Sequence, residues 1–321
     1  MVLPFKNPLP FENDLVKLDK TIDDKLARGE LQEAERLKRK FENLKRKIYS
    51  NLSPYQRVQL SRHLDRPTSL TLIREVFRDF IELHGDRRWG DDPAIVGGLA
   101  KLGQFPVVVV AQEKGQGIKE KPKRNFGMPQ PEGYRKALRL FRLGEKFGLP
   151  VVTIIDTPGA YPGDHAEERG QAQAIAECLL ELAHLTVPTI SVVLSEGGSG
   201  GALALGITDK IFMFEFAYYS VISPEGCASI LFGDDATKYI ADCASMLKLT
   251  AEDLKKFKII DDIISEPMGG LHWEFRESFD RLKERLISSI LEFSNVTVDE
   301  MLKKRMHKYY SMGVFEVVKN G

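Results

Sequence analysis

The chain has 321 residues, 43% of them hydrophobic, which is enough for one large core or two modest ones. Lysine plus arginine and aspartate plus glutamate each number 46, so the zero net charge gives no general attraction to nucleic acid or anionic membranes. Three cysteines without C-x-x-C spacing argue against a disulfide framework or a cysteine zinc site. The apolar runs are only as long as strands, which argues against a membrane span. We therefore expect a cytoplasmic protein.

The N-terminal region has the pattern of a helical hairpin. Apolar residues at three- and four-residue spacings run through 11–50 and are interrupted at Gly29, which predicts two antiparallel helices with one apolar seam. Ser53, followed by proline, predicts the start of a third helix, and a fourth is predicted at 68–83. The narrow seam must pack against this chain's own core or against a partner, and both alternatives stay open.

From residue 94 onwards, strands and helices alternate. Strands are predicted at 94–102, 106–112, 150–156, 188–195, 210–214, 218–223 and 259–264. Helices are predicted at 132–147, 164–184, 237–246, 250–257, 272–292 and 297–310. The central strands are apolar without alternation, which is typical of a sheet covered on both faces, so the fold class is α/β.

Two glycine-rich turns, DTPGAYPG at 156–163 and SEGGSGGALALG at 195–206, each follow a predicted strand. Ser199 is predicted to cap the helix after the second turn, which would leave the amides of Gly200, Gly201 and Ala202 unpaired. Turns after neighbouring strands can aim such N–H groups at one point, which is the geometry of an oxyanion hole. For each motif alone, a purely structural strand-to-helix turn remains an alternative.

Other interpretations of these turns have less support. DTPG resembles the magnesium-side motif of GTPases, but the chain contains no Gly-Lys dipeptide, so a P-loop is excluded. Neither turn has the spacing of a dinucleotide-binding fingerprint. Ser199 as a peptidase nucleophile would need a histidine in a triad context, and His84, His165 and His184 are not in one.

The segment 114–131 has no apolar period and is predicted to be a long exposed loop. A loop of this length is usually functional or disordered. Its basic residues with little opposing charge nearby are Lys119, Lys121, Lys123 and Arg124. A solvated loop and a site that captures an anion are both consistent with this pattern.

Six segments of the chain match motifs of a known family. They are GDDPAIVGGLA (90–100), KEKPKRNFGMPQPEGYRKALRL (119–140), IDTPGAYPG (155–163), AEERGQA (166–172), EGGSGGALA (196–204) and SVISPEGCASIL (220–231). Together they resemble the α subunits of bacterial acetyl-coenzyme A carboxylase carboxyltransferases. The similarity extends from about Leu3 to Phe293 and includes the helical hairpin.

The resemblance implies a crotonase-like ββα superhelix at 67–293, with the helical hairpin at 1–66 and a helical tail at 294–321. It implies transfer of a carboxyl group from carboxybiotin, held covalently by a separate biotin carboxyl carrier protein, to acetyl-CoA, giving malonyl-CoA for fatty acid biosynthesis. A β subunit is the implied partner in an α2β2 heterotetramer, with biotin carboxylase supplying ATP binding to the whole complex. Zinc is expected only in the β subunit.

By the same resemblance, the amides of Gly200 and Gly201 form the oxyanion hole for biotin, and Gly159 or Ala160 contributes a second donor. The hole for the thioester is expected in the β subunit. The residues predicted to line the carboxybiotin pocket are Gly197, Gly198 and Ala202. The candidate contacts to CoA phosphates are Lys119, Lys121, Lys123 and Arg124. The family pattern predicts an arginine where this chain has Gln116, so any contact made there is in doubt.

Biotin itself would be the base in this reaction, so the protein needs only N–H donors for each developing oxyanion. The first alternative is a stand-alone crotonase-like enoyl-CoA hydratase or isomerase. That enzyme would need a catalytic carboxylate at the glycine turns, and the candidates are Glu196, Glu167 and Glu168. The second alternative is a non-catalytic scaffold built on the hairpin.

Overall fold

In this computed structural model, which describes residues 7–313, eight strands form one sheet. The strands are β1 (Arg78–Glu82), β2 (Ile95–Leu102), β3 (Phe105–Gln112), β4 (Val151–Thr157), β5 (Thr189–Gly198), β6 (Lys210–Phe214), β7 (Tyr218–Ser220) and β8 (Asp262–Ile264). Their order is β1-β2-β3-β4-β5-β6-β8, with β7 pairing beside the end of β5. The first three strands are antiparallel, and β3 to β8 run parallel.

Helices precede the first strand, connect later strands and follow the last strand in chain order. Before the sheet come α1 (Asn13–Ala27), α2 (Leu31–Tyr49), α3 (Pro54–Ser61) and α4 (Ser69–Val76). Between the strands lie α5 (Gly117–Lys123), α6 (Pro131–Phe147), α7 (Asp164–Glu168), α8 (Gln171–His184), α9 (Ser199–Leu203), α10 (Pro224–Phe232), α11 (Ala236–Met246) and α12 (Ala251–Lys256). After β8 come α13 (Arg276–Phe293) and α14 (Val298–Tyr310). None of the helices within residues 7–313 is long and apolar enough to cross a bilayer.

The strands β4 and β5 form the centre of the sheet, and every residue of both is buried. Their apolar runs are covered by helices on both faces, as the absence of alternation predicts. Val151 lies opposite Thr189, and Thr157 lies opposite Gly197 at the far end. Because the two strands are parallel, the turns that follow them emerge side by side at one edge.

The helical hairpin packs on the body of the same chain. Leu15 of α1 and Phe41 of α2 belong to one apolar cluster with Phe216 from the body. Phe41 also contacts Trp273, with ring centroids 6.3 Å apart. The predicted apolar seam is therefore covered within the chain, which resolves one question that the sequence left open.

A buried polar cluster joins the start of the hairpin to the body. Glu12 accepts hydrogen bonds from the Leu9 amide, at 2.6 Å, and from the Tyr49 hydroxyl. Its Oε1 lies 3.7 Å from His272 Nε2, and the His272 ring stacks on His63 with centroids 3.9 Å apart. One ligand atom from each of Glu12, His63 and His272 lies within 4.8 Å of the other two, which is a spacing that could hold a metal ion.

Most predicted elements are confirmed, but the helix predicted at 68–83 is wrong beyond Val76. Residues Arg78–Glu82 form β1 instead and pair antiparallel with β2. Asp79 has φ 53°, which a continuing helix does not allow. Pairing at the sheet edge therefore outweighs a local apolar spacing that suits a helix.

Three smaller corrections concern loops and breaks. The segment 114–131 is not a structureless loop, because it contains α5 and a short 3₁₀ turn at Asn125–Gly127. The helix predicted at 164–184 is divided into α7 and α8 at Gly170, whose φ is 81°. The strand predicted at 218–223 ends at Ser220, and α10 follows unpredicted. The domain boundaries stay a prediction, and positions 1–6 and 314–321 of the predicted hairpin and tail lie outside the described residues.

Candidate functional site

The two glycine turns touch each other at the edge of the sheet. A Cβ added to Gly198 would lie 2.0 Å from the Pro158 carbonyl oxygen. One added to Gly201 would lie 2.5 Å from the Ala160 nitrogen and 2.6 Å from the Gly159 carbonyl carbon. The structure thus brings 159–160 and 200–201 into backbone contact, and at Gly198 and Gly201 only glycine fits.

The second turn differs from the sequence prediction at Ser199. The N-cap of α9 is Gly198, and Ser199 is already the first helical residue. Pairing of Gly198 with Ser220 of β7 extends β5 to the very start of the helix, which leaves no position for a capping serine. Ser199 instead has φ 54°, an uncommon left-handed conformation for a non-glycine residue.

Three backbone amides at the contact between the turns remain available. The N–H groups of Gly200 and Gly201 lie in the first turn of α9, and among residues 7–313 they donate no hydrogen bond. The Ala160 amide likewise has no acceptor within that range. The Gly159 amide, by contrast, donates to Thr157 Oγ1 at 3.0 Å. Of the two donors predicted for the first turn, the geometry therefore favours Ala160.

Gly200 borders an apolar pocket of about 330 Å³. The pocket is lined by Ser199, Gly200, Leu203, Tyr219, Ser220, Val221, Leu247, Leu254 and Ile259. The predicted lining residues Gly197, Gly198 and Ala202 are not among these. A Cβ on Gly197 would lie 2.7 Å from the Tyr219 ring, so glycine at this position leaves room for the ring. Ala202 is fully buried.

A glutamine holds the backbone of both turns. Gln112, buried at the end of β3, donates from Nε2 to the Gly201 carbonyl at 2.7 Å. Its Oε1 accepts from the Asp156 amide at 3.2 Å. The same side chain thus fixes the start of the first turn and the position of Gly201 in the second.

Buried charges lie beside the turns. Lys114 Nζ lies 2.8 Å from both Asp156 Oδ1 and Glu196 Oε2. Arg62 Nε donates to Glu196 Oε1 at 2.6 Å, and the Tyr218 hydroxyl donates to the same oxygen at 3.0 Å. Arg62 comes from the end of α3, so the helical N-terminal region contributes directly to the site.

The two carboxylates of this cluster have pKa values shifted in opposite directions. Burial raises the pKa of Asp156 to about 6, although Lys114 opposes the effect. Burial alone would also raise the pKa of Glu196, but the charges of Lys114 and Arg62 outweigh it and lower the pKa to about 2. Glu196 is therefore a fixed carboxylate whose two oxygens are both engaged.

The carboxylates required by the hydratase alternative are poorly suited to acid–base catalysis. Glu196 is held ionised by two cations, so it does not supply a proton near neutral pH. Glu167 and Glu168 are exposed on α7. The peptidase alternative also lacks its partner, because no hydrogen bond joins Ser199 to a histidine within the described part of the chain.

The basic residues of the segment 114–131 do not converge on one point. Lys119 is exposed and Lys121 is half-buried. Lys123 pairs with Glu120 at 2.8 Å, and Arg124 donates to the Pro93 carbonyl at 2.9 Å. Their role as phosphate contacts stays a prediction. Gln116, where an arginine was expected, is exposed at the start of α5.

Sequence reasoning missed four side chains of the site. They are Arg62, Gln112, Lys114 and Tyr134. Gln112 and Lys114 could have been found, because polar residues at or just beyond the end of a parallel strand belong to the same edge as the glycine turns. Arg62 carries no such signal. Tyr134 is fully buried, and its hydroxyl lies 2.9 Å from the position of a Cβ on Gly201 without a hydrogen-bond partner in residues 7–313.

Comparison with known proteins gives close relatives over nearly the whole chain. Residues 8–313 match the family described as acetyl co-enzyme A carboxylase carboxyltransferase-like. The acetyl-coenzyme A carboxylase carboxyl transferase subunit alpha of Geobacter metallireducens is 48% identical over 312 residues, covering 96% of this chain and 98% of the relative. Its namesake from Halalkalibacterium halodurans is 51% identical over 286 residues, covering 89% of this chain and 87% of that protein.

Solved structures share the fold at much lower identity. The transcarboxylase 12S structure matches with a TM-score of 0.58 and 20% identity, over 82% of this chain and 47% of that one. A Pseudomonas malonate decarboxylase hetero-tetramer in complex with coenzyme A matches with a TM-score of 0.55 and 16% identity, over 70% of this chain and 89% of the other. The predicted α/β, crotonase-like fold is confirmed.

Proposed function

Because the chain belongs to the acetyl co-enzyme A carboxylase carboxyltransferase family, we propose that it transfers the carboxyl group of carboxybiotin to acetyl-CoA. The product is malonyl-CoA, the precursor for fatty acid biosynthesis. The observation that carries this proposal is the convergence of unused amides from two touching turns, Ala160 on one side and Gly200 and Gly201 on the other.

The pocket beside Gly200 suits a biotin ring system. Its volume of about 330 Å³ lies at the lower end of the range for small-molecule sites, and its walls are mainly apolar. When bound, carboxybiotin supplies the carboxyl group, and its ureido nitrogen accepts the proton that acetyl-CoA loses. The amides of Gly200 and Gly201 would donate to the ureido oxygen while it is anionic, after the carboxyl group leaves and before the proton arrives, with Ala160 as the donor from the other turn.

No side chain of this site has to move a proton. Glu196, the best-placed carboxylate, stays ionised between Lys114 and Arg62. Its role is to hold the start of the second turn, because both its oxygens accept hydrogen bonds or ion pairs. The contribution of this chain is therefore a preorganised set of backbone donors, and each such donor is worth about 10²–10³-fold in rate.

The cavity needs a second polypeptide to close it. Val221 lines the pocket and is 77% exposed, and the exposed Ile230 and Leu231 follow on α10. Large apolar side chains with this much exposure, one of them in a pocket wall, are typical of a protein interface. We propose that a zinc-containing β subunit covers it in a cytoplasmic α2β2 heterotetramer and donates to the thioester oxygen. Biotin carboxyl carrier protein and biotin carboxylase complete the ATP-using complex.

The test is turnover by the reconstituted pair. The purified chain is mixed with its β subunit, free biotin and malonyl-CoA, and acetyl-CoA is measured; each subunit alone should give none. A correctly folded, assembled and inactive pair would refute the proposal. Hydration of an enoyl-CoA by the isolated chain would instead support the hydratase alternative.

A matched pair of glycine variants tests the site itself. Gly201→Ala places a Cβ 2.5 Å from the Ala160 nitrogen and should separate the two turns, lowering turnover by about 10²-fold or more. Gly90→Ala makes the same chemical change where nothing lies within 4 Å, and it should keep full turnover. Equal activity of both variants would show that the contact between the turns is not needed.

A further inference from the structure

Lys114 joins the residues at which the two glycine turns begin. Its ammonium nitrogen lies 2.8 Å from Asp156, at the start of the first turn, and 2.8 Å from Glu196, at the start of the second. The side chains of Lys114, Asp156 and Glu196 are only 16%, 2% and 7% exposed. A single enclosed cation therefore bridges two carboxylates that come from different strands.

Gln112 makes a parallel connection two residues earlier. It links the Gly201 carbonyl to the Asp156 amide, at 2.7 and 3.2 Å. Gln112 is the last residue of β3 and Lys114 follows it by two residues, so both lie at the same end of the strand. Two side chains near the end of β3 therefore link the turns: Gln112 through hydrogen bonds of its amide group, and Lys114 through ion pairs.

The segment after Lys114 folds back over it. A Cβ on Gly127, whose φ is 78°, would lie 2.2 Å from Lys114 Cγ, so the backbone lies directly on the lysine stem. Beside the lysine, a cavity of about 30 Å³ is bordered by Lys114, Lys121 and Asp156. The basic segment that the sequence singled out therefore encloses Lys114 rather than presenting four free cations.

On the basis of the proposed function, we propose that Lys114 is a positioning residue of the carboxyltransferase reaction. By bridging Asp156 and Glu196, it sets the separation of the two turns and so aligns the Ala160 and Gly201 amides. Such donors act only near hydrogen-bond distance, about 2.7–3.1 Å from the oxyanion. A displacement of about 1 Å is enough to lower the rate by about 10²-fold.

The test uses Lys114→Ala in the complete complex with the β subunit. We expect kcat per assembled complex to fall by about 10²-fold while KM for malonyl-CoA changes less than about twofold, because the affected donors act in the transition state. Lys101→Ala is the matched control. It removes a lysine from an exposed ion pair with Asp79, at 2.8 Å, and should leave both constants unchanged.

Two rescue measurements separate positioning from a merely structural role. Lys114→Arg keeps a cation that can bind two carboxylates, so it should recover kcat to within about tenfold of the wild type. Methylammonium is small enough to enter the space left by Lys114→Ala, next to the existing cavity, and should raise kcat in a saturable way. Tetramethylammonium, which has no N–H donor, should not.

Each outcome decides the proposal. If Lys114→Ala does not assemble, Lys114→Ala/Asp156→Asn removes one charge of each sign, and its kcat should also be low. A folded complex of either variant with kcat within about twofold of the wild type overturns the positioning role. So does a loss of activity that follows the folded fraction and responds neither to arginine nor to methylammonium. An inactive wild-type complex would instead reject the proposed function.

Discussion

At its amino end, β5 is tied to the C-terminal helix α14 by one buried arginine. All five N–H donors of Arg305 are used: Nε and one Nη donate to Asp209 at 2.8 and 2.7 Å. The other three reach the carbonyls of Leu182, Leu185 and Val187 at 2.7, 2.7 and 3.1 Å. Every donor of this buried guanidinium has an acceptor.

At its carboxyl end, β5 also meets buried charges, but donors are left over. Lys114 and Arg62 hold Glu196, while the amides of Ala160, Gly200 and Gly201 have no acceptor in the described structure. The amino end of β5 therefore serves stability, and its carboxyl end serves function. Unused donors occur where parallel strands end, which is where ligands of such sheets usually bind.

The largest effect should come from the amino end. Arg305→Met leaves Asp209 buried without its partner, and losing one member of a buried pair costs about 3–5 kcal/mol. Urea unfolding followed by circular dichroism measures this loss. Turnover per folded, assembled molecule should not change, because the arginine lies at the end of β5 away from the glycine turns.

Lys303→Met is the control for that variant. Lys303 lies on the same helix but is 70% exposed in its pair with Asp299, so its removal should leave the unfolding midpoint unchanged. If Arg305→Met were equally harmless, the amino end would not be a stabilising region, and the contrast between the two ends of β5 would be lost.

The next effect concerns the steric fit of the turns. Gly198→Ala places a Cβ 2.0 Å from the Pro158 carbonyl oxygen, and neither backbone segment can move away without separating the turns. Overpacking of this kind typically costs about 1–3 kcal/mol. Thermal unfolding should show a lower midpoint for the folded chain, together with reduced turnover in the assembled complex.

Gly200→Ala is the steric control for Gly198→Ala. The nearest atom to its Cβ is Ile175 Cγ2 at 3.9 Å, which is ordinary contact, so stability should be preserved or slightly increased. A similar loss in both variants would mean that the whole turn resists side chains. The proposed backbone contact at Gly198 would then not be the cause.

A smaller effect should appear in the pH dependence of stability. Asp156 has a pKa near 6 in the folded chain against 3.8 for an ordinary aspartate, so the folded state binds this proton more tightly. Its contribution to stability is present at low pH and is lost as pH rises from about 4 to about 6. Asp156→Asn removes this titration.

The measurement is urea unfolding of the wild type and Asp156→Asn at a series of pH values. The stability of the wild type relative to the variant should decrease between about pH 4 and pH 6 and stay level above that range. A relative stability that rises with pH would show that Asp156 is ionised more easily in the folded chain, so that Lys114 and not burial dominates its environment.

The sequence was sufficient to predict the centre of the sheet and the position of the glycine turns. Unbroken apolar runs fixed β4 and β5, and glycines marked the points where they end. The parallel arrangement then required the turns to meet. The sequence did not predict β1, because the local spacing of apolar residues around Arg78–Glu82 suits a helix. Only the pairing with β2 shows that this segment is a strand.

The charged part of the site was beyond local reasoning for a different reason. Lys114 meets Glu196 across 82 residues of sequence, and Arg62 meets it across 134. A lysine in a polar segment has the same appearance whether it is solvated or enclosed, and only the folded chain shows the difference. Ser199 was misjudged because pairing of β5 with β7 displaced the expected cap.

No loss of stability is expected for Tyr134→Phe. The Tyr134 hydroxyl is buried beside Gly201 without a partner in residues 7–313, so removing it loses no hydrogen bond. An unsatisfied buried hydroxyl costs about 1–3 kcal/mol, so the variant should be as stable as the wild type or more so. Leu138→Ala, on the same helix, should be clearly destabilising as a packing control. If Tyr134→Phe keeps its stability and loses turnover, the hydroxyl finds its partner only in the occupied site, and the carboxyl end of β5 holds a side-chain donor as well as its free amides.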